Sequence, residues 1–135
     1  MAFKLKTKNE LLGLHETSNS LNNVIKEVEM PEKTMWGFID EHKTIHINRN
    51  LSDEEKDLVI AHETVHKRQM EDGKLKFDSI TYTWKDKPGM VGTRYPTMSI
   101  NPKDKSLPWE NEAYASMYEI KREIKRKRNE RRTTF

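Results

Sequence analysis

Residues 52–73 read S-D-E-E-K-D-L-V-I-A-H-E-T-V-H-K-R-Q-M-E-D-G, and this stretch decides the fold. Ser52 with Glu55 three residues later is a capping-box pattern, and Asp53, Glu54 and Glu55 suit the positive amino end of a helix. Gly73 is a stop signal, so the spacing predicts a helix from about Asp53 to Asp72. Leu58-Val59-Ile60-Ala61 drives one face of that helix into a core. Directly after it comes His62-Glu63-Thr64-Val65-His66. Histidines four apart lie about 40° apart around a helix, so their imidazoles can converge on one Zn²⁺. Glu63, one residue on, can reach a water on that ion and accept its proton as the water attacks a carbonyl. Two histidines at a buried seam are costly without a partner, which favours a metal site over a chance pairing on a surface helix.

Working outward, Met35–Ile39 and Thr44–Asn48 read as two strands joined by a turn around Asp40–Lys43. Ile45 and Ile47 point to one face, Thr44, His46 and Asn48 to the other. Phe3, Leu5 and Thr7 alternate with lysines, suggesting a short first strand or extended arm. Residues 18–29, with Leu21, Val24, Ile25 and Val28, fit helical spacing and end at Pro31. Downstream, Ile80, Tyr82 and Trp84 share one parity, a strand signal. Met90–Leu107 reads mostly as loop, with one strand near Thr97–Ile100. A last helix starts near Ser106–Pro108 and carries Trp109, Ala113, Met117, Ile120 and Ile124 on one stripe; Trp84 and Trp109 read as packing residues. Beyond Ile124 nothing apolar remains until Phe135, so fraying is expected there. The fold class is α+β, a short mixed sheet packed on two helices.

Composition narrows the function. With 135 residues and a hydrophobic share of 33%, the chain fits one thinly cored domain. It has 3 Trp, 4 Tyr, 4 Phe and 7 Met, which argues against disorder over most of its length. The absence of cysteine removes disulfides, thiolate zinc sites and cysteine nucleophiles. No apolar run approaches the roughly 20 residues of a membrane helix. The amino-terminal lysines are not followed by an apolar stretch of about 7–15 residues, so no secretory signal is read and a cytoplasmic location is expected. The net charge of +3 is asymmetric: residues 121–132 contribute +6 and residues 1–120 contribute −3.

A catalytic zinc needs a third protein ligand and an open position. The extended H-E-x-x-H-x-x-G-x-x-H form is not met, since Gln69 and Asp72 stand at its last two fixed positions. A downstream carboxylate is favoured, and Leu107-Pro108-Trp109-Glu110-Asn111-Glu112-Ala113-Tyr114-Ala115 offers two at a helix start. Relative to the centre of the apolar stripe, Glu110 lies about 60° away and Glu112 about 100° away on the other side. Glu110 is the better ligand, with Glu112 in reserve.

A helix bearing H-E-x-x-H with a glutamate ligand on a later helix resembles the gluzincin side of the zincin metallopeptidases. Several such families, including the ImmA/IrrE-type and HtpX-type peptidases, carry E-x-x-A-D or E-x-x-A-N. Glu110 and Ala113 match that pattern, whereas Tyr114 stands where Asp or Asn is usual. The group that would orient a zinc-bound histidine is therefore not supplied from that position. The run from Ile45-His46-Ile47-Asn48 through Ser52 to His62-Glu63 is similar to the strand–loop–helix entry of the ImmA/IrrE type. The combination HETVHKRQ plus LPWENEAYA is closest to small uncharacterised HExxH proteins encoded by bacteriophages and their hosts. Matching motifs cover residues 44–70 and 107–115.

The resemblance implies a zincin-like metallopeptidase domain over residues 1–124, followed by a basic tail over 125–135. It implies one Zn²⁺ on His62, His66 and Glu110, with Glu63 as general base. It also implies a peptide or protein substrate along an edge strand at Thr44, His46 and Asn48. Candidates for a side-chain donor to the oxyanion are Tyr114, His46, Tyr82, Tyr95 and Tyr118, and the sequence does not choose among them. A different class of function keeps the fold, with or without the metal, but does no cleavage, as a structural component of a virion or other assembly. A third rests on Lys121, Arg122, Lys125, Arg126, Lys127, Arg128, Arg131 and Arg132, which could contact nucleic acid or an acidic partner non-specifically. For a phage protein the expected location is the host cytoplasm or the virion. No membrane partner is expected.

Overall fold

Ser52 closes the capping box read from the sequence: its side chain accepts from the Glu55 amide at 3.2 Å, and the Glu55 carboxylate accepts from the Ser52 amide at 3.0 Å. The computed structural model describes residues 16–18, 23–30 and 35–133. Its elements are β1 (Glu16–Ser18), β2 (Val24–Val28), β3 (Gly37–Ile39), β4 (Thr44–Asn48), α1 (Asp53–Glu71), β5 (Leu75–Phe77), β6 (Thr81–Trp84), β7 (Thr93–Pro96), a 3-10 turn at Thr97–Ser99, and α2 (Pro108–Thr133). One sheet has strand order β1-β2-β4-β3 and the other β5-β6-β7. β2 and β4 run parallel, and the remaining pairs are antiparallel. The class is α+β.

The α1 carboxyl end turns on Gly73, at φ +75°. The Lys74 amide donates to the Gln69 carbonyl at 2.9 Å and the Gly73 amide to the Met70 carbonyl at 3.2 Å, a Schellman closure. That reversal sends the chain directly into β5 and sets the second sheet against the start of α2.

Two apolar clusters follow. Ile25, Ile39, Ile45 and Ile47 of the first sheet pack against Val59, Ile60, Ala61 and Val65 of α1 and Ala113, Met117, Ile120 and Ile124 of α2. Leu75, Phe77, Tyr82 and Trp84 enclose Leu107 and Trp109. The rings of Tyr82 and Trp109 lie nearly parallel at 5.2 Å, and Tyr95 meets Trp109 edge-on at 5.1 Å. Trp109, 2% exposed, thus anchors the first turn of α2. Trp84 and Trp109 are packing residues, as their parity and stripe predicted.

Four sequence expectations are corrected, and a fifth falls outside what the structure describes. Residues 24–28 form a strand, not a helix. Ile25, Lys26 and Val28 are all buried, so both faces of β2 carry buried residues and its apolar residues lose the two-residue alternation that marks a half-buried strand. Thr44–Asn48 is an interior strand, hydrogen-bonded to β2 on one side and β3 on the other; among the described residues the edges of this sheet are β1 and β3, and β3 is the one beside Thr44–Asn48. Thr93–Pro96 is a strand, and Thr97–Ser99 a 3-10 turn. The carboxy-terminal segment does not fray: α2 continues through Thr133. The arm proposed at Phe3–Thr7 lies outside the described residues.

The reason for the long α2 is electrostatic. Arg128 donates from both terminal nitrogens to the carboxylate of Asp57, which is 2% exposed. Lys121 and Lys125 both meet Glu54, at 2.9 and 2.6 Å. These pairs fasten the far end of α2 across the start of α1. Removing Arg128 leaves a buried carboxylate unpaired, so Arg128→Ala should destabilise the protein by about 3 kcal/mol. Arg126, in an exposed pair with Glu130 one turn on, should cost less than about 0.5 kcal/mol when replaced by Ala. Urea unfolding of the two variants checks the ranking; equal losses would show that the Asp57 pair does not fasten the helices.

Candidate metal centre

The first cluster fixes how α1 meets α2, and the site lies where the two helices face each other. His62, Glu63 and His66 are all buried on α1, and a ligand atom from each lies within 4.8 Å of the others. Glu110, 3% exposed, enters from the first turn of α2. Its Oε1 is 2.7 Å from His66 Nε2 and its Oε2 is 3.3 Å from His62 Nε2. The two Nε2 atoms are 3.2 Å apart. Two imidazole nitrogens and a carboxylate therefore point at one small volume, a donor set suited to a first-row divalent ion.

Glu112, the reserve ligand, is directed elsewhere. Its carboxylate takes Lys74 Nζ at 2.7 Å and Gln69 Nε2 at 3.3 Å. The helical-wheel separation accounts for this, since Glu112 lies further from the centre of the stripe that faces α1.

Gln69 was not foreseen as a site residue. Its Oε1 accepts from His66 Nδ1 at 2.8 Å, and its Nε2 donates to the Trp109 carbonyl at 3.1 Å. It orients the imidazole and ties it to the turn that carries Glu110, as groups behind a metal ligand do. The available signal was its position three residues after His66, on the same helix face. Thr64 faces the other way, accepting from Asn23 Nδ2 at 2.8 Å and bonding α1 to the start of β2.

The ionisation pattern follows from burial and pairing. Burial pushes the Glu110 carboxyl up, but hydrogen bonds from His62 and His66 outweigh it and hold the group at about 2. For His66, burial favours the neutral ring, and the Glu110 bond with the nearby Glu63 charge reverses this and raises its pKa. Glu63 differs: burial dominates and raises its carboxyl above the ordinary range, with His66 and His62 offsetting only part. Its Oε2 is buried with no hydrogen-bond partner among the described residues. A buried carboxylate oxygen left in that state needs an explanation, and its place on a cleft supplies one.

That cleft, of about 540 Å³, is lined by Met35, Trp36 and Gly37 from the edge-strand side and by Leu58, Val59, His62 and Glu63 from α1. Pro102, Lys103 and Lys105 close it from the loop before α2, and Glu110, Tyr114 and Met117 from α2 itself. Gly37 is required there, because an added Cβ would sit 2.6 Å from the His46 carbonyl oxygen and from Val59 Cγ1. Tyr114 lies edge-on to His62 at 4.7 Å. Burial, with the charges of Glu110 and Glu63, raises its pKa and keeps the phenol protonated.

The other candidate donors are placed away from the centre. His46, on the sheet face opposite Ile45 and Ile47, is fully buried with Nε2 2.9 Å from Asp40 Oδ2 and its ring stacked on Phe38. Thr44 and Asn48 are buried in the same interior strand, so none of the three offers an edge. Tyr82 and Tyr95 pack on Trp109, and Tyr118 is exposed. Among the cations of residues 121–132, Lys127 pairs with Glu123, while Arg122 is exposed. Nothing is described of the side chains of Arg131 and Arg132. No helix among the described residues is long and apolar enough to cross a membrane. The chain matches no protein-family profile, no curated protein and no solved structure.

The pairing of Glu110 with His66 fixes a pH dependence for the metal-free protein. Glu110, lowered from 4.5 to about 2, contributes stability present above pH 4.5 and lost as pH falls toward 2. His66, raised from 6.5, contributes stability present below pH 6.5 and lost as pH rises through its folded value. With a chelator present, the urea midpoint should therefore be higher at about pH 5.5 than at about pH 8.5, and Glu110→Gln should reduce that difference. Equal differences in the two proteins would contradict the pairing.

Proposed function

We propose that this protein is a zinc-dependent peptidase of the zincin type. The observation that carries the reading is the buried Glu63 oxygen, without a hydrogen-bond partner among the described residues, on a cleft beside two histidines and Glu110. His62, His66 and Glu110 would hold the ion. The chemistry such an ion supplies is Lewis acidity toward a carbonyl and toward water.

The remaining work falls to the chain's own residues. Glu63 takes the proton of the attacking water at its unpartnered oxygen and passes it to the leaving amine. In the metal-free protein burial raises its pKa, as for a carboxylate held in low dielectric. Tyr114 is a neutral phenol beside His62 and suits donation to the developing oxyanion. A substrate peptide would extend along β3, where Gly37 lets the chain approach α1. Met35, Trp36, Leu58, Val59 and Met117 would receive its apolar side chains.

A non-catalytic role in an assembly, such as a virion, is the second reading. What favours it is the exposure of Ile80, Val91 and Met98, at 70%, 97% and 101%. Contact of the carboxy-terminal cations with nucleic acid is weakened by the pairing of Lys121, Lys125 and Arg128 with α1.

Glu63→Gln separates catalysis from assembly. The peptidase reading expects kcat/KM to fall by roughly 10²–10⁴-fold with the zinc content unchanged. Unchanged cleavage in the variant, with zinc still bound, would overturn it.

A further inference from the structure

We infer that the cleft selects a peptide bearing a carboxylate one to three residues from the scissile bond, received by Lys103 and Lys105. The inference rests on the peptidase reading and adds its substrate class. Met35, Trp36, Leu58, Val59, Pro102 and Met117 give the cleft an apolar lining, and Lys103 and Lys105 are the lysines on it. Both are exposed, and neither has a carboxylate partner among the described residues. Lys56, Lys67, Lys74, Lys121, Lys125 and Lys127 each have one; what sets Lys103 and Lys105 apart from the other lysines is their place on the cleft.

The intervening Asp104 does not neutralise them. Its Oδ1 accepts from the Ser106 amide and hydroxyl, at 2.9 and 2.7 Å, and these bonds lower its pKa. The Lys103 amide donates to Asn101 Oδ1 at 3.0 Å, so the loop is ordered by its own side chains and presents the two ammonium groups.

The reach is set by packing. Lys105 Nζ lies 4.7 Å from the centre of the Tyr114 ring, and that ring lies 4.7 Å from His62. The ammonium is thus within about 10 Å of His62, and an extended peptide advances about 3.3 Å per residue. A carboxylate two or three residues from the reacting bond reaches it, and a long acidic side chain reaches it from nearer. The chemistry is that of a carboxylate, from either a chain terminus or an acidic side chain.

The test uses the zinc-loaded Glu63→Gln protein and the fluorescence of Trp36, the half-exposed tryptophan on the cleft. The probes are acetyl-trileucine amide, acetyl-trileucine as the free acid, and acetyl-Leu-Glu-Leu amide. At least one acid should bind roughly two- to fivefold tighter than the neutral amide, with the advantage shrinking as salt rises. The better acid identifies the source of the carboxylate. In the background of Lys103→Gln with Lys105→Gln, the advantage should vanish while the affinity of the neutral amide stays unchanged. Equal binding of all three peptides would overturn the inference. So would an advantage that survives the double substitution, since the carboxylate would then be bound elsewhere. Absence of hydrolysis by wild-type protein, with the binding difference intact, overturns the peptidase reading and supports the anion site.

Discussion

The Glu110 carboxylate reaches across from one helix to two histidines on another, and this contact sets where almost everything else stands. It brings a buried charge into an interface otherwise made of Val59, Ala61, Val65, Ala113 and Met117. Such a charge is tolerated only with close partners. The surrounding residues hold those partners in position: Gln69 fixes the His66 ring, Trp109 fixes the first turn of α2, and the Gly73 reversal brings Lys74 to Glu112. At the opposite end of the interface the Asp57–Arg128 pair does a similar job. The two polar contacts bracket the apolar seam and fix the helices in one register.

Within that frame, Glu63 is the exception. Every other buried acid described near the two helices has a partner, while one Glu63 oxygen has none among the described residues. The cleft it faces exists because β3 ends the sheet and Gly37 permits close approach to Val59. A general base needs both features, a carboxylate held in low dielectric and a path for water and substrate.

The amino-acid sequence disclosed the helices and the heart of the site, because these depend on local signals. The capping box, Gly73 and the apolar stripe of α2 each act within a few residues. H-E-x-x-H is itself a statement about one helix face, and the angle of Glu110 from the apolar stripe selected it over Glu112. What the sequence hid depends on distant partners. β2 looked helical because Ile25 and Val28 are buried on opposite faces of the strand, in two different apolar clusters. The interior position of Thr44–Asn48 follows from parallel pairing with β2, which no local pattern encodes. The basic run 121–132 read as a free tail because its partners, Glu54 and Asp57, lie some 70 residues earlier. Lys103 and Lys105 lie in a loop with no periodicity, and only the cleft gives them meaning.

The proposed centre makes one demand that the other readings do not: a stoichiometric ion bound by two imidazoles and the Glu110 carboxylate. Zinc-edge X-ray absorption on protein purified without chelator measures this directly, with Glu110→Gln as comparison. The account predicts one zinc per chain with two histidine nitrogens and carboxylate oxygen in its shell, and a weakened site in the variant. Protein that binds no metal stoichiometrically, or whose metal shell is unaltered by Glu110→Gln, would contradict it.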